Sequence, residues 1–311
     1  MPFIKEKNIK YNMSCLLTSG IAKGCRDNSG GIKKVLLANK SSLWNVTPTA
    51  ESNLDLGLIS NINLADSVGA PTKFFEFVPN KMSSNWVENI QSNVQNGTIG
   101  YEQVLTLIFS KNEASKRNQI KLLGQAEIVA IVQDFNNKYF LLGEYNGLEV
   151  TGGKSDSGTN LNDLNGWSIT IGGMEPNPAR EISEGIIAGL TILQATDLAT
   201  SAIDTDTATL ALTEGEGDGV AIFVKEATYT EILPTNGTEY TSSLVFETGD
   251  QLITSGWYCV YSGVYSAPLV ITALTTATKY YVRAFEYAGT GIDRIYCMSK
   301  NGANPISFQT I

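Results

Sequence analysis

The stretch Leu274-Thr-Thr-Ala-Thr-Lys-Tyr280-Tyr-Val282-Arg283-Ala284 decides the fold class of the last third of this 311-residue chain. A leucine precedes a run of small and hydroxylated residues suited to a tight corner. A tyrosine follows six residues later, and an alternating Val-x-Ala pattern continues as a strand. That pattern reads as a tight turn running into a strand of a β-sandwich. Working outward, 207–212 and 220–225 read as earlier strands of the same sandwich, and turn signals recur to the end of the chain.

Composition extends the β reading to the whole molecule. Glycine is plentiful (29 residues), 42% of residues are apolar and 17% are charged. That is a globular chain of many short strands rather than a disordered one. The length suits two domains, expected at 1–185 and 190–311.

Histidine is absent. This removes the usual general base, the Ser-His and Cys-His pairs and the commonest zinc ligand. Ser-Lys pairs and paired carboxylates remain formally open, but the expectation is a protein that is not an enzyme and takes no cofactor or metal. Cys15, Cys25, Cys259 and Cys297 contain no C-x-x-C spacing and read as reduced, partly buried thiols. The charged start, Met1-Pro2-Phe3-Ile4-Lys5-Glu6-Lys7, leads into no apolar signal, and no stretch approaches a membrane span of about 20 residues. Assembly in a cytoplasm, with no membrane partner, is expected.

Charge is unevenly shared. Through residue 185 there are 17 Lys+Arg against 18 Asp+Glu, and from 186 onward 5 against 13. An acidic second half does not seek phosphate, whose affinity comes from Lys and Arg. Asp204, Asp206, Glu214, Glu216 and Asp218 lack the ligand order of a calcium loop and read as acidic turns. The glycines at 20, 24, 30 and 31 would cradle phosphate only ahead of a helix, and a strand (32–38) is expected there instead. Trp257 and Tyr258 read as core or interface rather than a sugar platform.

In the first half, 40–70 reads as a long loop or arm and 72–78 as a strand. Residues 84–110 read as a long hairpin turning at Asn96-Gly97 in a type I′ turn. Trp86, Glu88, Ile90, Ser92 and Val94 share a face of one arm, and Tyr101, Gln103, Leu105, Leu107 and Phe109 share a face of the other. Between Lys81 and Lys111 this hairpin carries Glu88 and Glu102 and no base. A helix is expected at 112–123, its face of Lys116, Arg117 and Lys121 solvated or set against an acidic neighbour. A strand pair at 126–134 and 138–145 should turn through Asn136-Asn137. Residues 149–151 and 166–172 should close the sheet around a mobile 152–165, with an edge segment and linker at 173–190. One helix among strands excludes a doubly wound fold.

The Leu274, Tyr280 and Val282 corner resembles the fibronectin type III signature, with Thr276 or Ala277 where that family commonly has proline. Asn236–Thr241 and Trp257–Tyr261 look like the long insertion of versions from Bacteroidetes and their viruses. The first 185 residues resemble tail-tube proteins of long-tailed phages of Bacteroidetes. The similarity lies in Thr18-Ser19-Gly20, Gly24-Cys25-Arg26-Asp27 and Gly30-Gly31 before a strand, the long hairpin, the single helix, and Trp167-Ser-Ile-Thr-Ile-Gly-Gly-Met-Glu-Pro176. That resemblance implies a β-sandwich or barrel with one α-helix, self-association of six copies into stacked rings, contact with other tail proteins, and genomic DNA passing through the lumen without specific binding. Glu88 and Glu102 are the expected lumen-facing residues, and the C-terminal sandwich an outer decoration. Another virion part (tail tip, baseplate or head decoration) and a surface adhesin or glycan-binding module are the competing expectations.

Overall fold

A computed structural model describes residues 20–48, 57–64, 73–266, 268–300 and 303–311. The first half consists of β1 (Ile32–Asn39), β2 (Leu43–Pro48), β3 (Ile59–Leu64), β4 (Phe75–Phe77), β5 (Asn85–Asn93), β6 (Thr98–Ser110), helix α1 (Ala114–Leu123), β7 (Ile128–Asp134), β8 (Tyr139–Leu142), β9 (Glu149–Asp156), β10 (Gly166–Glu175) and β11 (Arg180–Ile182). One sheet runs β2-β3-β11-β8-β7-β1-β4 and a second β5-β6-β10-β9. The chain is mostly β in several sheets, and no sheet closes into a barrel among the described residues.

β7 explains how the layers form. Its run Ile-Val-Ala-Ile-Val is buried throughout because both faces are covered. Ile128, Ala130 and Val132 pack with Leu105, Leu107, Ile169 and Ile171 of the second sheet. Val129 and Ile131 point the other way, onto Ile59, Ile62, Leu64, Ile187 and Leu190. Each such buried aliphatic chain stabilises by about 1.5–3 kcal/mol.

Several expectations need correction. The 40–70 stretch is not a long loop, since β2 and β3 lie within it and pair antiparallel. Two register shifts in that pairing and the intervening asparagines hide the strand period. Residues 49–56 and 65–72 lie outside the described residues. The strand expected at 72–78 shrinks to β4, while β9 extends to Asp156, through part of the expected mobile loop. Glycine suits that strand, because a Cβ on Gly153 would stand 2.9 Å from the Ser168 carbonyl oxygen.

Nor is 173–190 a linker. It completes β10, forms β11 and then α2 (Ile187–Thr191). Ile187 and Leu190, spaced for one helix face, are buried. Gly189 meets the second half so closely that a Cβ would lie 2.6 Å from the Tyr296 carbonyl oxygen.

The second half contains β12 (Thr196–Ser201), β13 (Ala208–Thr213), β14 (Gly219–Glu226), β15 (Trp257–Gly263), β16 (Leu269–Ile271), β17 (Lys279–Ala288), β18 (Ile295–Tyr296) and β19 (Ile306–Gln309). Sheet β12-β13-β16 faces sheet β15-β14-β17-β18, with β19 also on β17. The Tyr280 hydroxyl accepts a 2.8 Å hydrogen bond from the Thr275 N–H. Its ring lies 5.2 Å from Phe246 and 5.5 Å from Phe308. Leu274 and Val282 are buried in the same cluster. In the absence of proline, Ala277 turns the corner at φ +53.

Trp257–Tyr261 is not part of an insertion but the body of β15. The inserted segment is 227–256, and it covers the second face of the β15-β14-β17 sheet. There Tyr240 and Leu252 pack on Phe223, Trp257, Phe285 and Tyr296, and the Trp257 indole donates to the Thr230 carbonyl at 2.8 Å.

Between β18 and β19 the chain leaves β17, and two side-chain amides occupy the gap. Asn304 bonds both backbone groups of Ala284, at 3.0 and 2.9 Å. Gln194 accepts from Glu286 N–H and donates to the carbonyls of Cys297 and Ser299. From this excursion the Lys300 N–H reaches the Leu64 carbonyl of β3 at 2.8 Å.

Candidate assembly surface

The sheet β5-β6-β10-β9 is antiparallel throughout. Its hairpin closes at Asn93↔Thr98, leaving Val94–Gly97 as a four-residue loop instead of the expected two-residue turn. Only Gly97 takes positive φ (+64), whereas a type I′ turn needs two such residues. The Asn93 side chain accepts from the Asn96 N–H at 3.0 Å and holds the loop.

Register decides where the two acids point. Cross-strand partners share a face, and Trp86 faces Leu105 while Glu88 faces Gln103. Leu105 and Gln103 are buried, so Glu88 lies on the core side. Its carboxylate accepts from the Gln103 amide at 3.0 Å and the Ala179 N–H at 2.8 Å. Gln103 in turn accepts from the Gly143 N–H at 2.9 Å. Glu102 is on the opposite face, where Gln91 (3.0 Å) and Asn89 (3.4 Å) donate to it. The two acids cannot line one surface together.

Glu175, also on the core side, accepts from Tyr145 and Asn146 N–H at 2.9 Å each. Burial raises its carboxyl above the ordinary range against the pull of those bonds. Beside it, Arg180 forks onto the Glu144 carboxylate. These bonds tie one end of the sandwich together.

The outer face is a different surface. It presents Asn89, Gln91, Glu102, Thr106, Ser168 and Thr170 together with the exposed apolar Val87 and Met174. Within these four strands its one cation is Lys154, which pairs with Asp156 at 3.3 Å.

The sheet's edges are bare among the described residues. β5 pairs only with β6, over nine residues with no bulge, proline or lysine. β9 pairs only with β10 over Glu149–Asp156, with one register shift opposite Thr170 and Ile171 and one lysine, Lys154. Long regular edges are the ones that accept another strand. Every other edge is blunted: β4 has three residues, β2 carries two register shifts, and β12 is bulged around Asp197 at φ +51. β15 is covered by the 227–256 segment, with Cys259 N–H on the Asp250 carbonyl at 2.8 Å and Leu252 N–H on that of Trp257 at 2.9 Å.

The remaining candidates are spoken for. Glu214 accepts from Tyr265 N–H, Asp218 from Gly289 N–H and Asp204 from Thr205 N–H, while Glu216 pairs with Lys73 of the first half. These acids do not converge, and no metal-holding group of acids and thiols occurs among the described residues. Trp257 is a core residue. Arg117 stacks over the Trp167 ring at 5.6 Å, and Lys116 bonds the Ser110 carbonyl at 2.6 Å. Cys25 is exposed; Cys259 and Cys297 are buried free thiols, and burial pushes Cys259 up to about 12. Cys15 lies outside the described residues. No family model, curated protein or solved structure matches this chain.

Proposed function

We propose that this chain is a structural virion protein. Its copies join edge to edge into rings, the rings stack into a phage tail tube, and the second half is a fibronectin type III-like decoration on the outside. The observation that carries the reading is the bare β5 edge, unbulged over nine residues, with β9 open at the far side of the same sheet and the other edges shortened, bulged or covered.

Geometry supports closure. The sheet has four strands, so β5 and β9 run in opposite directions. Copies related by rotation about an axis along the strands therefore meet β9 to β5 in antiparallel pairing, a head-to-tail contact that closes into a ring. The cation-poor outer face suits a lumen through which DNA slides, since phosphate adhesion needs Lys and Arg. Glu102, on that outer face, is the acid this reading assigns to the lumen, whereas Glu88 lies on the core side. The strand arrangement β12-β13-β16 over β15-β14-β17-β19, with its tyrosine corner, supports the fibronectin-like reading.

Negative-stain microscopy of the purified protein tests the proposal. Rings or tubes about one subunit thick in the wall are expected, and uniformly monomeric particles would refute it.

A further inference from the structure

We infer that, in the ring proposed above and resting on that reading, the 157–165 loop of one copy seats Leu161 in the apolar groove between β4 and α1 of the next. The groove has a volume of about 250 Å³ and is lined by Phe77, Val78, Phe109 and Ile120, with Lys116 at its rim. Phe77 and Phe109 meet at 6.2 Å and bridge the two sheets. Val78 is left 64% exposed.

The loop supplies the complementary feature. Leu161 is fully exposed, at 102%. The loop that presents it is nevertheless fastened, because the Asp163 carboxylate accepts from Thr159 and Asn160 N–H at 2.9 and 2.7 Å. Those backbone bonds hold Asp163 below the usual carboxylate range.

Strand register brings the two together. Gly166 pairs with Asp156 on one side and Ser110 on the other, and Asn85 pairs with Thr106. The end of β9, the start of β5 and the entry to α1 are thus at the same end of the sheet. Rotation about an axis along the strands keeps these levels, so Gly152, level with Thr106 and Asn85, meets the neighbour's Asn85, and Asp156, level with Ser110, reaches the stretch that leads into the neighbour's β5. The loop following β9 then lies beside residues 78–84 and the groove mouth. The charge that is free to act between copies is that of Lys81 on the receiving side and Asp163 on the loop, since Lys116 is paired with Glu113 at 3.5 Å, Asp156 with Lys154 at 3.3 Å, and Glu76 also lines the groove.

Leu161→Ser is expected to leave the melting temperature of the unassembled chain unchanged and to raise the concentration for half-assembly about tenfold or more, the effect of losing one buried leucine per contact. A second measurement uses Leu161→Cys with Val78→Cys in a Cys15→Ser, Cys25→Ser background. Mild oxidation should give a ladder of covalently joined copies that reducing agent collapses. If rings form but Leu161→Ser assembles normally and no ladder appears, the docking is overturned while the ring stands. A cross-link from position 78 to some other segment also overturns it. An unmodified chain that never assembles removes both readings.

Discussion

β5 and β15 occupy similar places, each at the rim of an antiparallel sheet, and the chain treats them oppositely. β15 is followed along its outer side by 241–252, whose backbone bonds Trp257 and Cys259. Among the described residues no strand or segment pairs with the outer side of β5 over its nine residues. Covering an edge removes a template for unwanted pairing, and the second half does this with a segment that also builds an aromatic core. The contrast teaches that assembly, if it runs through strands, runs through the first half, and that the second half is sealed against it.

The sharpest break of this comparison is proline on β5. Neighbouring residues of an edge strand turn their N–H groups alternately toward the partner and away. Made separately, Asn89→Pro and Ile90→Pro should therefore differ. One should abolish assembly in sedimentation velocity at nearly unchanged melting temperature, and the other should lose about 3 kcal/mol through a broken ladder bond. Assembly by both variants would mean that β5 is not the contact.

On the sealed side, Trp257→Ala should destabilise the second half by about 3–5 kcal/mol, because it empties the pocket that anchors the covering segment. Chemical denaturation followed by tyrosine fluorescence reads this, and a loss under 1 kcal/mol would show the cover to be dispensable. Tyr280→Phe removes only the corner hydrogen bond and should cost about 1–3 kcal/mol. An unchanged melt would deny the corner its role.

The smallest effect on stability should come from the acids. Glu102→Lys, on an outer face, should stay within about 0.5 kcal/mol of the unmodified chain. Its rings should nevertheless retain DNA at low salt and release it as salt rises. Glu88→Lys should instead lose stability, since it sets an ammonium against the Gln103 amide and the Ala179 N–H. Equal behaviour of the two would contradict the opposite faces described here.

The sequence carried the corner and the hairpin because each depends on local chemistry. Leu274 and Tyr280 are six residues apart in one turn, and alternation in 84–110 is regular. The orientation of Glu88 relative to Glu102 was less accessible. Period 2 sets faces within each arm, but which faces coincide depends on the register, and the register depends on a four-residue loop where Asn96-Gly97 suggested two. β2 and β3 escaped notice because bulges shift the period and Asn61 and Asn63 interrupt the apolar run. The linker reading failed for a related reason. Gly185, Gly189 and Pro176 suggested flexibility, whereas Gly189 is there for close approach to Tyr296. The edge contrast itself was invisible, since what covers β15 is set by long-range packing.

The bond from Lys300 to Leu64 has a consequence for how such a chain can be rearranged. Appended sandwiches are commonly exchangeable, like beads on a string, when a free tether joins them to their host. Here the excursion between β18 and β19, held by Asn304 and Gln194, grips β3 of the other half. A foreign sandwich spliced in after Ile192 would arrive without that clasp and would leave the end of β3 and the surface around Gly189 uncovered. Exchange of the second half therefore breaks a backbone bond to β3 that a freely tethered sandwich would not have.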